Sequence, residues 1–279
     1  MADNRIYNFS AGPSMLPVPV LERCASEMLN YKGSGMSVME MSHRSKVYDG
    51  IITETEAALR RVLSVPANYK VLFLQGGAST QFAAIPMNLL KTGKADYALT
   101  GNFANNAYKE AVKFGDIHVA FSSKDRNFDR VPTQAELDIR PDADYFSICA
   151  NNTIYGTEYQ YDPETPAGVP LVADMSSNIL SKPVDVYAGA QKNMGPAGVT
   201  VVIVREDLLG SYPLEKYPVM LDWQTMANKG SMYNTPPAYG IYICGKVFRW
   251  LLSMGGLEAI RERNVAKANG PYAFLEASQ

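Results

Sequence analysis

The sequence has few of the residues that cross-link a protein or bind metal ions. Its 279 residues include only three cysteines and two histidines. The cysteines, Cys24, Cys149 and Cys244, are odd in number and form no C-x-x-C pair. A disulfide framework or a cysteine zinc site is therefore not expected, and we predict no metal site. Cys149 follows an apolar run, so we interpret it as a core residue rather than a nucleophile.

The sequence also lacks a strong charge bias and a long apolar run. Its formal net charge is −2, from 26 basic and 28 acidic side chains, and no basic block appears. We therefore expect no nucleic-acid partner. The first eight residues are polar, and no apolar run could span a bilayer, so we expect a soluble, cytoplasmic protein with no membrane partner. Hydrophobic residues make up 47%, enough for a sizeable core.

A single lysine, Lys192, stands in a stretch of small residues. Glycines, alanines and a proline surround it between Tyr187 and Gly198, and the β-branched run Val199–Val204 follows at once. This pattern predicts a turn that leads into a buried strand. A lysine amine held there could form a Schiff base with a carbonyl, as in pyridoxal phosphate (PLP) enzymes. A solvated surface lysine is the alternative, and for a lone lysine it would be favoured.

Two further stretches favour the chemical interpretation. The apolar run Leu171–Ala173 ends in Asp174, as at the carboxyl end of a parallel strand, where a carboxylate could pair with a protonated pyridine nitrogen. Without the other stretches, Asp174 would be better interpreted as a helix N-cap. The stretch Lys70–Phe82 reads as a strand, a Gly76-Gly77 turn and a helix start, whose free N–H groups could hold a phosphate.

Strands and helices alternate up to Asp174, which predicts an α/β fold with a parallel sheet and right-handed crossovers. Asp174 and Lys192 would then lie at the same edge of that sheet. Among the helices, we expect Tyr48–Leu63 to turn Ala57 inward, and the helix from Ser79 to kink or restart at Pro86. Further predicted helices are Pro17–Tyr31, one from Ala104 to Phe114, Thr133–Ile139, Ala238–Met254 and Leu257–Leu275.

The chain resembles the phosphoserine aminotransferases, PLP enzymes of fold type I. The matching segments run nearly end to end and in family order, and as a set they are highly specific. They are Asn8–Pro13, Met36–Ser45, Gln75–Ser79, Asn151–Thr157, Ala173–Ser177, Gly189–Gly198 and Tyr233–Pro237.

The resemblance implies a mostly parallel seven-stranded central sheet flanked by helices. It implies an N-terminal arm (residues 1–16), a large PLP-binding α/β domain (17–255) and the start of a small C-terminal domain (256–279). The family continues well past Gln279, so we expect the small domain to be largely absent. Part of the substrate clamp, the set of residues that bind the substrate anions, would be absent with it, and the last helix would lose the domain that covers its apolar surface. A short family stretch before Tyr187 is also missing, so either Val184–Ala190 forms the strand directly or the crossover from Asp174 is strained.

The resemblance also implies the site. Lys192 and Asp174 would be catalytic, with Lys192 bonded to PLP and Asp174 on the ring nitrogen. Phe103 would stack on the ring, where the family usually has tryptophan, although a core position is equally open. Arg44 and His43 would bind the substrate anion. The remaining cofactor contacts would be Ala78, Ser79, Thr153, Gln191, and, from the neighbouring subunit of a homodimer, Asn234 and Thr235.

The implied reaction transfers an amino group between glutamate and 3-phosphohydroxypyruvate, a phosphorylated 2-oxo acid, in serine biosynthesis. In many bacteria the family also handles a related substrate of pyridoxine biosynthesis. Two alternatives stay open. One is another fold type I PLP enzyme, such as a different aminotransferase or a desulfurase-like lyase. The other is a truncated, catalytically impaired chain that binds PLP or only dimerises.

Overall fold

A central β-sheet organises the chain, as the computed structural model shows. Within residues 5–181 and 187–278, which the structure describes, seven strands join in one sheet in the order β1-β9-β8-β7-β4-β2-β3. Strand β9 runs antiparallel to both of its neighbours, β1 and β8, while the other described pairs are parallel. The strands of this sheet are β1 (Tyr69–Leu74), β2 (Lys94–Leu99), β3 (Asp116–Ser122), β4 (Phe146–Cys149), β7 (Leu171–Asp174), β8 (Tyr187–Gly189) and β9 (Thr200–Arg205). The mostly parallel, seven-stranded sheet is thereby confirmed.

A short hairpin follows β4, formed by β5 (Asn151–Asn152) and β6 (Thr157–Glu158). The α-helices are α1 (Val18–Ser26), α2 (Lys46–Leu63), α3 (Gly77–Leu89), α4 (Asn102–Ala111), α5 (Trp223–Asn228), α6 (Ala238–Ser253) and α7 (Gly256–Ala277). None of the helices in the described part of the chain is both long and apolar enough to cross a membrane.

Helices cover both faces of the sheet because its strands are apolar on both sides. Along β9, Val201 and Ile203 pack with residues of α1, α2 and α6, whereas Val202 and Val204 pack with residues of α3, α4 and α5. Side chains of a strand point alternately to opposite faces, so a continuous apolar run serves two cores. The helices packed on both faces hold the sheet in place, and with it the edge at which the parallel strands end.

Several helices differ from their predicted bounds. α1 ends at Ser26 instead of Tyr31, because the Tyr31 N–H bonds to the Met36 carbonyl and the chain turns through Lys32 and Gly33 at positive φ. α4 ends at Ala111 instead of Phe114. The helix expected at Thr133–Ile139 is one 3₁₀ turn, which ends where Leu137 becomes extended.

One detail of the predicted helices was wrong. Ala57 is exposed, and Ala58 faces the core in its place. α3 begins at Gly77 and continues through Pro86, so of the two alternatives expected there, a kink or a restart, the restart does not occur in this described helix. The strand expected over Val184–Ala190 lies partly outside the described residues, and only its end, β8, can be assigned.

Candidate functional site

Lys192 lies in the turn between β8 and β9, as its sequence context predicts. The turn is anchored at both ends: Ala190 N–H donates to the Val199 carbonyl at 2.9 Å, and Gly195 N–H donates to the Ala190 carbonyl at 2.9 Å. Ala190 and Met194 are fully buried on either side of the half-buried lysine. The backbone that carries the amine is therefore held by the core.

Asp174 ends the neighbouring strand, β7, at the same edge of the sheet. Only 7% of the residue is exposed. Its Oδ1 accepts hydrogen bonds from Ser176 N–H (2.9 Å) and from Ser176 Oγ (2.7 Å). A turn follows the residue, so it is not the helix N-cap that its sequence context alone would suggest.

The surroundings of Asp174 act on its charge in opposite directions. Burial raises the pKa of the carboxyl group, while the two hydrogen bonds from Ser176 and the positive charge of Lys192 oppose that rise. Cys149 pairs with Asp174 across β4 and β7. Burial, together with the Asp174 charge, raises the pKa of the Cys149 thiol, which agrees with a core residue rather than a nucleophile.

The N-terminal arm packs against the stem of Lys192. A Cβ atom added to Gly12 would lie 3.1 Å from Lys192 Cγ, so the glycine lets the arm approach closely. The Ser14 N–H donates to the Gln191 carbonyl at 2.9 Å. The arm thus contacts the turn at residues 191 and 192 through one hydrogen bond and one close approach.

Phe103 lies in the first turn of α4, and its ring centroid is 5.7 Å from Lys192 Nζ. The side chain is 40% exposed, and it borders a narrow crevice together with Cys149 and Asp174. This partial exposure leaves the ring accessible to a ligand, unlike that of a fully buried core phenylalanine. The three predicted residues Lys192, Asp174 and Phe103 therefore lie close together at the carboxyl edge of the sheet.

The glycine turn after β1 leads into α3 as predicted. Gly76 and Gly77 have φ of 88° and 68°, and Gly76 caps α3 without a side-chain hydrogen bond. Ala78 and Ser79 lie in the first helical turn, where backbone N–H groups have no partner within the helix. Such a helix start is suited to binding a phosphate.

The loop carrying Asn234 and Thr235 lies beside this glycine turn. Gln75 Nε2 donates to the Thr235 carbonyl at 2.9 Å, and Asn234 borders a cavity of about 350 Å³ that Gly76 also lines. Both side chains are exposed. They are open to contact from outside the chain.

Thr153, His43 and Arg44 lie in loops. Thr153 is exposed in the turn between β5 and β6. Arg44 is exposed just before α2, and the buried Nε2 of His43 has no hydrogen-bond partner among the described residues. Within the described part of the chain, no hydrogen bond or ion pair joins His43 or Arg44 to Lys192, Asp174 or Phe103.

Sequence reasoning assigned no role to two residues of this region. Ser176 binds Asp174, and an Asp-x-Ser pattern, in which the aspartate can accept from the N–H two residues on, could have indicated it. Asn152 is buried and bonds Thr100 Oγ1 (3.2 Å) and Thr157 Oγ1 (3.1 Å). It lies so close to Gly101 that an added Cβ there would be 2.5 Å from Asn152 Oδ1.

Comparisons with known proteins find relatives along nearly the whole chain. The sequence profile of the family "Aminotransferase class-V" matches residues 6–279. Phosphoserine aminotransferase of Nitrosomonas europaea is 54% identical over 98% of this chain and 78% of its own length, and that of Pseudomonas putida is 51% identical over 99% and 78%.

Solved structures give the same result. Phosphoserine aminotransferase from Bacillus circulans subsp. alkalophilus superposes with a TM-score of 0.93 at 48% identity, covering 97% of this chain and 76% of that one. The PLP-bound phosphoserine aminotransferase from Trichomonas vaginalis gives 0.90 at 41% identity, covering 96% and 81%. The fold type expected from the sequence motifs is thereby confirmed.

Proposed function

The chain belongs to the class-V aminotransferases and, within them, to the phosphoserine aminotransferases, and on this premise we propose that it transfers an amino group between glutamate and 3-phosphohydroxypyruvate, a step of serine biosynthesis. The observation that carries the proposal is the meeting of Asp174, Lys192 and Phe103 at one edge of the sheet. Aminotransferases of this class use pyridoxal 5′-phosphate, and the proposal includes that cofactor.

The residues at this edge fit pyridoxal phosphate in their chemistry. The cofactor supplies an aldehyde that a lysine can bond and a ring that accepts electrons from the substrate. A buried carboxylate, Asp174, suits a protonated ring nitrogen, and the partly exposed ring of Phe103 suits stacking. The start of α3, free of a side-chain cap, suits the phosphate.

Lys192 has two tasks in the proposal. Its amine would hold the cofactor between turnovers, and once released it would take a proton from the substrate Cα and deliver it to the C4′ carbon of the cofactor. The anchored turn between β8 and β9 fixes the backbone that carries this amine, which supports the precise placement that the step needs. Asp174 keeps the ring nitrogen protonated throughout, because its negative charge favours the bound proton.

The other predicted contacts hold and orient the ligands. The N–H groups of Ala78 and Ser79 and the side chain of Gln191 bind the phosphate, and Thr153 binds near the ring. Arg44 and His43 take the anionic group of the substrate. The exposed guanidinium of Arg44 and the unpaired Nε2 of His43 support this assignment, since a guanidinium fork suits carboxylate and phosphate alike.

The proposal extends to the assembly. We assign residues 1–16 to an arm, 17–255 to the large domain and 256–279 to the start of a small domain, in a cytoplasmic homodimer. The Asn234 and Thr235 side chains would bind the phosphate in the partner subunit's site. Their exposure in the single chain supports this role.

Lys192→Ala tests the proposed site. We expect the wild-type chain to bind PLP with a visible absorbance band that glutamate removes, and borohydride reduction to attach the cofactor covalently to the peptide containing Lys192. The variant should lose the band and the attachment, and kcat should fall by about 10²- to 10⁴-fold or more, since a proton-transfer group is gone. Lys113→Ala, which removes an exposed lysine of the Glu110 ion pair, is the matched control.

Each other outcome has a distinct meaning. A band that glutamate leaves unchanged would show a cofactor site without a working substrate clamp, as expected of a catalytically impaired chain. A substrate panel with other 2-oxo acids would identify a different aminotransferase. A wild-type chain without any band would show that Lys192 is not placed for the cofactor and would refute the assignment.

A further inference from the structure

The hydroxyl group of Ser176 connects the two strands that carry the proposed catalytic residues. Ser176 Oγ donates to Asp174 Oδ1 at 2.7 Å and accepts from the Gly189 N–H at 3.0 Å. Gly189 is the last residue of β8, three positions before Lys192. One side-chain oxygen therefore links the end of β7 to the end of β8.

This link lies at the carboxyl end of the pairing between β7 and β8. Asp174 pairs with Tyr187, and the Ser176–Gly189 hydrogen bond extends that connection to the edge where the site lies. It restrains the distance between the Asp174 carboxylate and the turn that carries Lys192.

The same hydroxyl group also orients the carboxylate. Both hydrogen bonds that the Asp174 carboxylate accepts from the described residues go to Oδ1, from the backbone and the side chain of Ser176. Oδ2 is thus the oxygen left for a ring nitrogen. The backbone N–H alone would suffice for a turn, so the hydroxyl group supplies an additional, directional contact.

The charge of Asp174 depends on this contact as well. Burial raises the pKa of Asp174, and the hydrogen bonds from Ser176 oppose the rise. Among the described residues, the other titratable groups that interact with this carboxylate are Lys192, whose charge lowers its pKa, and Cys149, a buried neutral thiol. Loss of the hydroxyl group removes a donor that favours the ionised form.

We propose that Ser176 is a positioning residue for the transamination: its hydroxyl group aims Asp174 Oδ2 at the ring nitrogen and, through Gly189, sets the separation of Asp174 from Lys192. This role rests on the proposed function. It makes Ser176 part of the site without any contact to the substrate.

The test compares Ser176→Ala with Ser176→Thr, which keeps a hydroxyl group, and with Ser177→Ala. Ser177 is the matched control, because its hydroxyl group donates to the Asn151 carbonyl instead of Asp174. We expect Ser176→Ala to weaken PLP binding by about 10- to 100-fold, the effect of losing a hydrogen bond to a charged group. We also expect kcat to fall while KM for glutamate changes little. The pH at which bound PLP changes its absorbance should also shift. Ser176→Thr should restore the PLP affinity, the kcat and this pH to their wild-type values.

A second measurement needs no cofactor. In the PLP-free chain, deuterium exchange at the Gly189 amide should be faster in Ser176→Ala than in the wild type, because that amide loses its acceptor. The thermal midpoint should stay close to that of Ser177→Ala. A large drop in the midpoint that Ser176→Thr does not reverse would show a structural role and overturn the proposal.

The outcomes separate this inference from the proposed function. If the wild type binds PLP on Lys192 while Ser176→Ala retains wild-type affinity and pH response, the positioning role is wrong and the function stands. If the wild type binds no PLP, the proposed function fails, and the role of Ser176 fails with it.

Discussion

Two carboxylates of this chain show how opposite surroundings act on one kind of side chain. At Asp174, burial dominates and raises the pKa. At the exposed Glu136, hydrogen bonds from Arg130 and Thr133 lower the pKa to about 2. At the first residue the hydrogen bonds from Ser176 oppose the effect of burial, whereas at the second the hydrogen bonds prevail and favour the ionised form. The difference explains why a buried carboxylate is the one suited to hold a proton on a ligand.

Glu136 provides a test at this scale, because its charge stabilises the folded state. Its folded-state pKa of about 2 lies below the ordinary value of 4.5, so its contribution is complete above pH 4.5 and disappears as the pH falls through 2. We expect Glu136→Gln to lower the urea midpoint at pH 7, and the difference from the wild type to shrink between pH 4.5 and pH 2. The loss should be modest, since the group is exposed.

Glu262→Gln, which changes an exposed carboxylate of α7, is the control for that measurement. It should leave the urea midpoint unchanged at every pH. A difference between Glu136→Gln and the wild type that is as large at pH 3 as at pH 7 would contradict the assigned role of the ionised group.

The start of α3 shows how one element depends on a backbone that only glycine adopts easily. Gly76 has φ of 88°, and a Cβ atom added to it would lie 2.1 Å from Thr80 Oγ1. Thr80 in turn donates to the Gly76 carbonyl at 2.9 Å. The glycine therefore permits both the turn and the close packing of the first helical turn, where the phosphate is proposed to bind.

Gly76→Ala should destabilise the chain by about 1–3 kcal/mol, from the positive φ and the collision with Thr80. It should also weaken PLP binding, because the N–H groups of residues 78 and 79 move. Gly93→Ala is a close control, since Gly93 has φ of 89° and open space around its Cα. That variant should lose about 1 kcal/mol and keep its PLP affinity. Urea unfolding and PLP titration measure both effects, and equal PLP affinities for the two variants would contradict the proposed binding of the phosphate at the start of α3.

At the same scale, α7 differs from the other long helices. Its first turns pack through Leu257 and Ile260, but beyond them its apolar side chains are exposed. The exposed ones are Val265, Tyr272, Phe274 and Leu275. The expectation that the last helix presents apolar surface is confirmed, and such a surface is a liability for solubility unless it is covered.

The sequence predicted the sheet and its reactive edge well for a physical reason. Strands such as β9 are continuous β-branched runs, and parallel strands bring their carboxyl ends together, so Asp174 and Lys192 had to meet. The end of α1 was not predictable, because it precedes a local turn in which Lys32, a non-glycine residue, adopts a positive φ. The role of Ser176 was not predictable either, because its bond to Gly189 depends on how β7 and β8 align.

The whole molecule is proposed to be a homodimer in which each site takes Asn234 and Thr235 from the partner subunit. Two inactive variants can test this arrangement together. Lys192→Ala removes the amine but keeps the loop, whereas the double variant Asn234→Ala with Thr235→Ala keeps the amine but loses the phosphate contacts. In a mixed dimer, one of the two sites would combine an intact Lys192 with an intact loop.

We therefore expect co-expression of the two variants, followed by purification through two different tags, to give a mixed dimer with about half the wild-type PLP content and activity. Each variant alone should have little of either. Restoration cannot come from one chain, since neither chain holds a complete set of residues, so it would require that the loop crosses to its partner. A mixed dimer without restored activity would show that the loop serves its own chain, beside Gln75, where it lies in the single chain.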